Sequence, residues 1–226
     1  MNERIIQEQR KVYTETFKLH GPTPQGVCWN NIETQTLRFE RLIKNIEEHI
    51  NGDSIHDVGA GVCDLHKYLL TKNIRHEYSG TEIVQEMIDY SMNEYQNIKL
   101  VNRDLLNANK NEVYNFIVLS GTLNLINNEN QKDWKDYCYK LIKKMYLQAD
   151  KAIVFNCLTS YKTFSDPTLL YFDPIKIFDF CAKNLSRFVI IDHGYPLYEF
   201  TCTVFRPEYL SKSYNNQKFN KYFSAL

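Results

Sequence analysis

Residues 54–58, Ser-Ile-His-Asp-Val, read as a short strand that runs straight into Gly59-Ala60-Gly61 and then into a helix starting near Leu65. Glycine adopts left-handed backbone without penalty and lets another group approach the main chain closely. The helix that follows offers its first amides unpaired. Such a strand–turn–helix unit cannot bury its apolar faces alone and needs a sheet with helices packed on it.

The rest of the sequence repeats the unit. Predicted strands at 76–82, 98–101, 115–120 and 151–156 alternate with helices at 84–95 and 134–146. The near-continuous apolar run at 115–120 suits a strand covered on both faces. Helices over 3–19 and 32–50 precede the first strand, the second with Asn31 as N-cap and Asn51-Gly52 as stop. Residues 161–185 break the alternation with loops and one helix, and strands follow at 187–191 and 198–205. Their short connection, 192–196, makes them antiparallel. The expected fold is α/β: a doubly wound, seven-stranded, mostly parallel sheet with an antiparallel terminal hairpin strand. An N-terminal helical cap over 1–50 precedes a main domain over 51–226, which carries an acceptor-side cap insertion at about 159–186. In such sheets ligands bind outside the carboxyl ends of the strands.

Composition narrows the partners. The 226 residues carry 27 basic and 27 acidic side chains, so no net charge drives binding to nucleic acid. No run of 18 apolar residues suggests a membrane span. Six cysteines, 35, 75, 19, 24 and 21 residues apart, include no CxxC pair, so neither a zinc site nor a disulfide framework is expected. No metal is expected. The sequence reads as a reduced, cytoplasmic protein, a monomer or homodimer, with a small-molecule partner.

The acids after the strands carry the chemistry. Glu82 ends the second strand, 25 residues after Asp57, where a carboxylate can accept both hydroxyls of a ribose. The third glycine of a dinucleotide-binding turn is replaced by Asp64, which would face a pyrophosphate at short range. Asp57, two residues before Gly59, serves a cation better than an anion. S-adenosylmethionine fits those terms, with an ammonium, a sulfonium, a ribose and no phosphate.

Residues 54–65, with Asp57-x-Gly59-x-Gly61, resemble the first motif of class I S-adenosylmethionine-dependent methyltransferases, a Rossmann-like family. Glu82 matches the ribose-binding acid of the second motif. Asn102-Arg103-Asp104-Leu105 is similar to the adenine-edge motif, and Ser120-Gly121-Thr122-Leu123-Asn124 stands where the fourth motif faces donor and acceptor. The reversed last strand is typical of the family. Cys63 departs from it, because a third glycine is frequent there. The resemblance covers roughly residues 30–206.

The resemblance implies Gly59 and Gly61 against the methionine part of the donor, with Asp57 orienting the loop or the ammonium. It puts Glu82 on the ribose, Ile83 on the adenine face, Asp104 on the adenine amino group with Leu105 beside it, and Ser120 near the methionyl end. Residues 29–39, with Trp29, Gln35 and Arg38, resemble an N-terminal lid, in which Arg38 would pair with the donor carboxylate. The same segment and the Ser-Gly-x-x-Asn run are similar to methyltransferases encoded among surface-polysaccharide genes, some of which modify a phosphoramidate on a capsular sugar.

On the acceptor side, the sixth strand opens on the ligand face, so His193 and Tyr195 in the following turn are the candidates to touch the acceptor. His193 would act as base or as binding residue. The expected activity is methyl transfer to a small acceptor, at oxygen rather than nitrogen. The competing readings are a nicotinamide-dependent oxidoreductase, a non-catalytic S-adenosylmethionine-binding protein, and a nucleic-acid methyltransferase. The last lacks a basic surplus and the Asn/Asp-Pro-Pro-aromatic motif of amino-methylating enzymes.

Overall fold

The computed structural model describes residues 2–127, 130–214 and 216–223. Its centre is a sheet of β1 (Asp53–Val58), β2 (His76–Glu82), β3 (Lys99–Asn102), β4 (Tyr114–Leu119), β5 (Ala149–Thr159), β6 (Tyr171–Phe172), β7 (Val189–Asp192) and β8 (Glu199–Phe205). The order is β3-β2-β1-β4-β5-β8-β7, with β6 added beside β5. All pairings are parallel except those of β8, which runs antiparallel between β5 and β7. The seven expected strands are therefore present. The two-residue β6 is an addition, made possible because β5 extends to Thr159 and pairs there with Phe172.

Helices cover both faces. On one, α5 (Gln131–Gln148) and α6 (Pro174–Asn184) pack Trp134, Leu141, Met145, Ile177 and Cys181 onto Ile117, Ile153, Phe155 and Val204. On the other, α2 (Ile32–Ile43) and α3 (Asp64–Thr71) pack Phe39, Leu42, Leu65 and Leu69 onto Ile55, Phe116, Val118 and Val154, with α7 (Pro207–Ser213) at the margin. Burial of these side chains contributes about 1.5–3 kcal/mol each relative to exposure. α4 (Gln85–Glu94) follows β2, and α1 (Asn2–His20) lies against it and across the carboxyl ends of the strands.

Three expectations are corrected. The helix expected over 32–50 stops at Ile43; a 3₁₀ turn, Glu47–His49, replaces its last part. Ile46 and Ile50 keep the apolar spacing because they remain buried in the same cluster, although Ile46 has left helical geometry. The expected N-terminal cap over 1–50 divides: α1 lies over the carboxyl edge, whereas α2 is a layer helix packed on the sheet. The acceptor cap expected at about 159–186 is also mostly layer structure. α6 packs on β7 and β8, and only the loop before β6 stands at the ligand edge. All six cysteines are free thiols, five of them buried. Among the described residues no helix is long and apolar enough to cross a membrane.

Phe155 lies at the centre of β5 and is 0% exposed. Truncation of Phe155 to alanine should cost about 3–5 kcal/mol, as for other buried phenylalanines. Equilibrium urea unfolding measures it; a loss under about 1 kcal/mol would contradict the packing described.

Candidate functional site

The carboxyl end of β1 turns on Gly59 and Gly61, both left-handed, at φ +74° and +55°. A Cβ at Gly59 would collide with the Thr122 hydroxyl, so glycine also admits the turn after β4. The amides of Gly59 and Ala60 donate to the Thr81 carbonyl at 2.8 and 3.1 Å. Cys63 precedes α3 at φ +61°, a left-handed position that explains why glycine is frequent there.

Glu82 at the end of β2 ties this turn to the next. Its Oε2 accepts from Gly61 N at 2.8 Å, and its Oε1 accepts from Ile83 N and Val84 N at 2.7 and 2.9 Å. Burial pushes the carboxyl pKa up, and the three amides and Arg10 oppose that. Asp104, after β3, accepts from Leu106 N and the Tyr137 hydroxyl, each at 3.0 Å, and burial raises its pKa as well.

Glu82 and Asp104 stand in the wall of a narrow cavity with Gly59, Ile83, Leu105 and Thr122. From α5, Trp134, Tyr137 and Leu141 close its floor. Ile6, Gln9 and Tyr13 of α1 form its outer side. Two anchors hold α1 there. Arg10 Nε donates to the Ile83 carbonyl at 2.8 Å, and Gln9 Nε2 donates to the Leu125 carbonyl at 3.0 Å. One helix thus bridges the turns after β2 and β4.

A second network lies on the β5–β8 side of the cavity. Gly121, at φ +80°, donates its amide to Asn156 Oδ1 at 2.8 Å. Asn156 Nδ2 donates to Glu199 Oε2 at 3.2 Å. Arg38 Nε approaches Glu199 Oε1 to 2.5 Å as an ion pair, off the N–H direction, and the guanidinium lies 4.3 Å over the Trp29 ring. A Cβ on Gly121 would collide with that indole. Glu199 is fully buried, and desolvation pushes its pKa to about 7 against the pull of Arg38.

No protein-family model matches the chain. A Mycobacterium tuberculosis protein provisionally named a methyltransferase is 29% identical over 154 residues, 67% of this chain and 92% of that one. Magnesium protoporphyrin IX methyltransferase of Synechocystis PCC 6803, solved with bound S-adenosylmethionine, superposes with a TM-score of 0.62 at 12% identity, over 89% of this chain and 96% of that one. DhpI, solved with S-adenosylhomocysteine, gives a TM-score of 0.63 at 10% identity over 88% and 95%. The N-methyltransferase NodS of Bradyrhizobium japonicum, also with S-adenosylhomocysteine, gives 0.57 at 12% over 87% and 97%. The chain carries the class I methyltransferase fold.

Within that fold, five of the expected donor residues line the cavity: Gly59, Glu82, Ile83, Asp104 and Leu105. Gly61 reaches it through its bond to Glu82. Asp57 lies behind the turn, its Oδ2 accepting from the Tyr78 hydroxyl at 2.7 Å. Gln35 turns to Asp64, donating at 2.9 Å, and thereby joins α2 to the start of α3. Ser120 buries its hydroxyl without a hydrogen-bond partner. Trp29 covers Gly121.

Two expectations meet competing partners. Arg38, expected at the donor carboxylate, pairs with Glu199 through its Nε. The Tyr195 hydroxyl, expected at the acceptor, is buried and shares a 3.1 Å hydrogen bond with Thr201 Oγ1. His193 is exposed, with its ring 6.1 Å from those of Tyr161 and Phe200. Sequence reasoning missed Ile6, Gln9, Asn156 and Glu199, and named Thr122 only as part of the run 120–124. The readable signal was a polar residue, Asn156, inside an apolar strand, and an acid opening the last strand.

Burial pushes the Asp57 carboxyl from 3.8 up to about 7, with the Tyr78 hydrogen bond opposing and Glu82 and Asp64 adding. Folded Asp57 therefore keeps its proton where the unfolded chain has released it. That contribution to stability is lost as pH rises from about 4 to about 7. The Asp57→Asn variant should lack this part of the pH dependence. Urea midpoints across that range check it; a wild-type-minus-variant difference that does not change with pH would exclude the assignment.

Proposed function

We propose that the chain is an S-adenosylmethionine-dependent methyltransferase acting on a small-molecule acceptor at oxygen. The observation that carries the reading is the cluster of carboxyl groups at the cavity. Glu82 and Asp104 face it, and Asp57 and Asp64 stand behind the same glycine turn. A pyrophosphate would further oppose the ionisation of these groups, which disfavours the nicotinamide reading. A cationic donor with a ribose and no phosphate suits them.

The bound donor supplies a methyl group activated by its sulfonium. The chain's residues bind and align. Glu82, fixed by three amides, presents its carboxylate at the place the resemblance gives to the ribose. Asp104, oriented by Tyr137, stands where the adenine amino group would donate, between Ile83 and Leu105. Gly59, Gly61 and Ser120 leave the backbone accessible beside the methionyl part. α1 excludes water from the outer side. Alignment of this kind supplies much of the rate in an in-line displacement. His193 is the base for a hydroxyl acceptor, and an anionic acceptor needs none.

The likeness of residues 29–39 and 120–124 to methyltransferases of surface-polysaccharide genes extends the proposal to an acceptor in capsular polysaccharide synthesis, a sugar hydroxyl or a phosphoramidate. The free thiols fit a cytoplasmic setting.

Calorimetry tests the donor assignment. S-adenosylhomocysteine should bind and NAD should not; absence of binding at millimolar S-adenosylhomocysteine overturns the proposal. Glu82→Gln, which keeps the shape but loses acceptor capacity, should weaken that binding at least about tenfold, or about 1.4 kcal/mol. Unchanged affinity would remove Glu82 from the site.

A further inference from the structure

At the same edge of the sheet as the donor cavity, at the carboxyl ends of β5 and β7, several rings stand with their faces in solvent. Tyr161 is 60% exposed, Phe164 54% and Tyr198 42%, and His193 is exposed with them. They come from two loops, the one after β5 and the β7–β8 turn, held together by the Thr159 amide donating to the Tyr198 carbonyl at 2.9 Å. Phe164 meets Tyr198 edge to face, centroids 5.2 Å apart at 81°. Tyr161 tilts at 46° against His193. Each pair leaves open ring faces at an angle. Clustered exposed rings of this kind mark binding grooves.

Position ties the cluster to the transfer site. Tyr198 adjoins Glu199, and Glu199 is two hydrogen bonds from the Gly121 amide through Asn156. The charges nearby are engaged. Lys162 Nζ lies 4.1 Å over the Tyr171 ring, and Asp192 pairs with Lys44 at 3.2 Å and Arg41 at 3.7 Å. What remains for a ligand is ring faces edged by hydroxyl groups, including the Thr163 and Tyr198 pair at 2.7 Å. A strongly charged acceptor would find no counter-charge released for it, which favours the sugar hydroxyl over the phosphoramidate.

We infer that Tyr161, Phe164 and Tyr198 form the acceptor subsite, and that it takes an uncharged ring with a flat, weakly polar face and hydroxyl groups on its edge. This rests on the transferase reading above and specifies its acceptor class. The ring lies against the open faces of Tyr161 and Phe164, the Tyr198 and Thr163 hydroxyls bind its edge, and one hydroxyl is directed toward the Gly121 side. A sugar pyranose and a phenol share this chemistry.

Saturation-transfer NMR with methyl α-glucopyranoside and with phenol, each at millimolar concentration on protein saturated with S-adenosylhomocysteine, tests it. Transfer to at least one probe is expected. It should be lost in the Tyr161→Ala/Phe164→Ala double variant and kept in Tyr161→Phe, which retains the ring. Transfer to the glycoside alone assigns a sugar, transfer to phenol alone an aromatic acceptor, and transfer to both supports the shared class. No transfer to either probe, or equal transfer in the double variant, overturns the subsite. Both substituted side chains are exposed, and calorimetry with S-adenosylhomocysteine on the same samples checks the fold. If the wild-type protein does not bind S-adenosylhomocysteine, the donor assignment fails, and the ring signals, read without it, still decide the subsite.

Discussion

The Glu82 carboxylate accepts the amides of Gly61, Ile83 and Val84, and the ligand edge of the sheet is organised around it. A buried carboxylate with no partners would be expensive to keep ionised. Three amide donors offset that cost, and in exchange they fix two consecutive βα turns relative to each other. The glycine turn after β1 is then held at its tip by Glu82 and at its base by the Thr81 carbonyl. Ile83, fixed by the same carboxylate, offers the carbonyl that receives Arg10 of α1. The helix over the cavity is therefore anchored on the residue beside the acid.

A buried ion pair does for the other side what Glu82 and its amides do for the first. Glu199 opens β8 and meets Arg38 from α2 and Asn156 from β5, so three elements converge on one carboxylate. Removing one partner of such a pair leaves a charge stranded in the interior, which typically costs 3–5 kcal/mol. The pair also holds the Trp29 indole against Gly121. The cavity and the aromatic edge are linked through this chain of contacts.

The strands were legible because buried parallel strands are written as compact apolar runs, as at Ile117, Val118 and Leu119. The glycine turn and Glu82 were legible because their spacing is local to one βα unit. The end of α2 was not, since Ile46 and Ile50 keep helical spacing after the helix has stopped. The partner of Arg38 was hidden for a different reason: Glu199 lies far along the chain and is brought back only by the reversal of β8. Tyr195 looked available because it sits in a turn, but the turn folds its ring inward until the hydroxyl meets Thr201. The cavity shows that α1, through Ile6, Gln9 and Tyr13, covers the carboxyl edge of the sheet.

The insertion of β8 between β5 and β7 also matters to the order in which the molecule is made. A ribosome delivers β5, which ends at Thr159, well before β8, which begins at Glu199, and β7, which ends at Asp192, just before it. Until then the second edge of β5 and the inner edge of β7 have no strand to pair with, and an open strand edge invites pairing with another chain. Glu199 is absent over the same interval, so Arg38 and Asn156 lack their common partner. A nascent or C-terminally truncated chain can collapse its first four strands, but it carries a sticky margin and an unfinished site. The last strand to emerge is thus both the closure of the sheet and the step that makes the ligand edge complete.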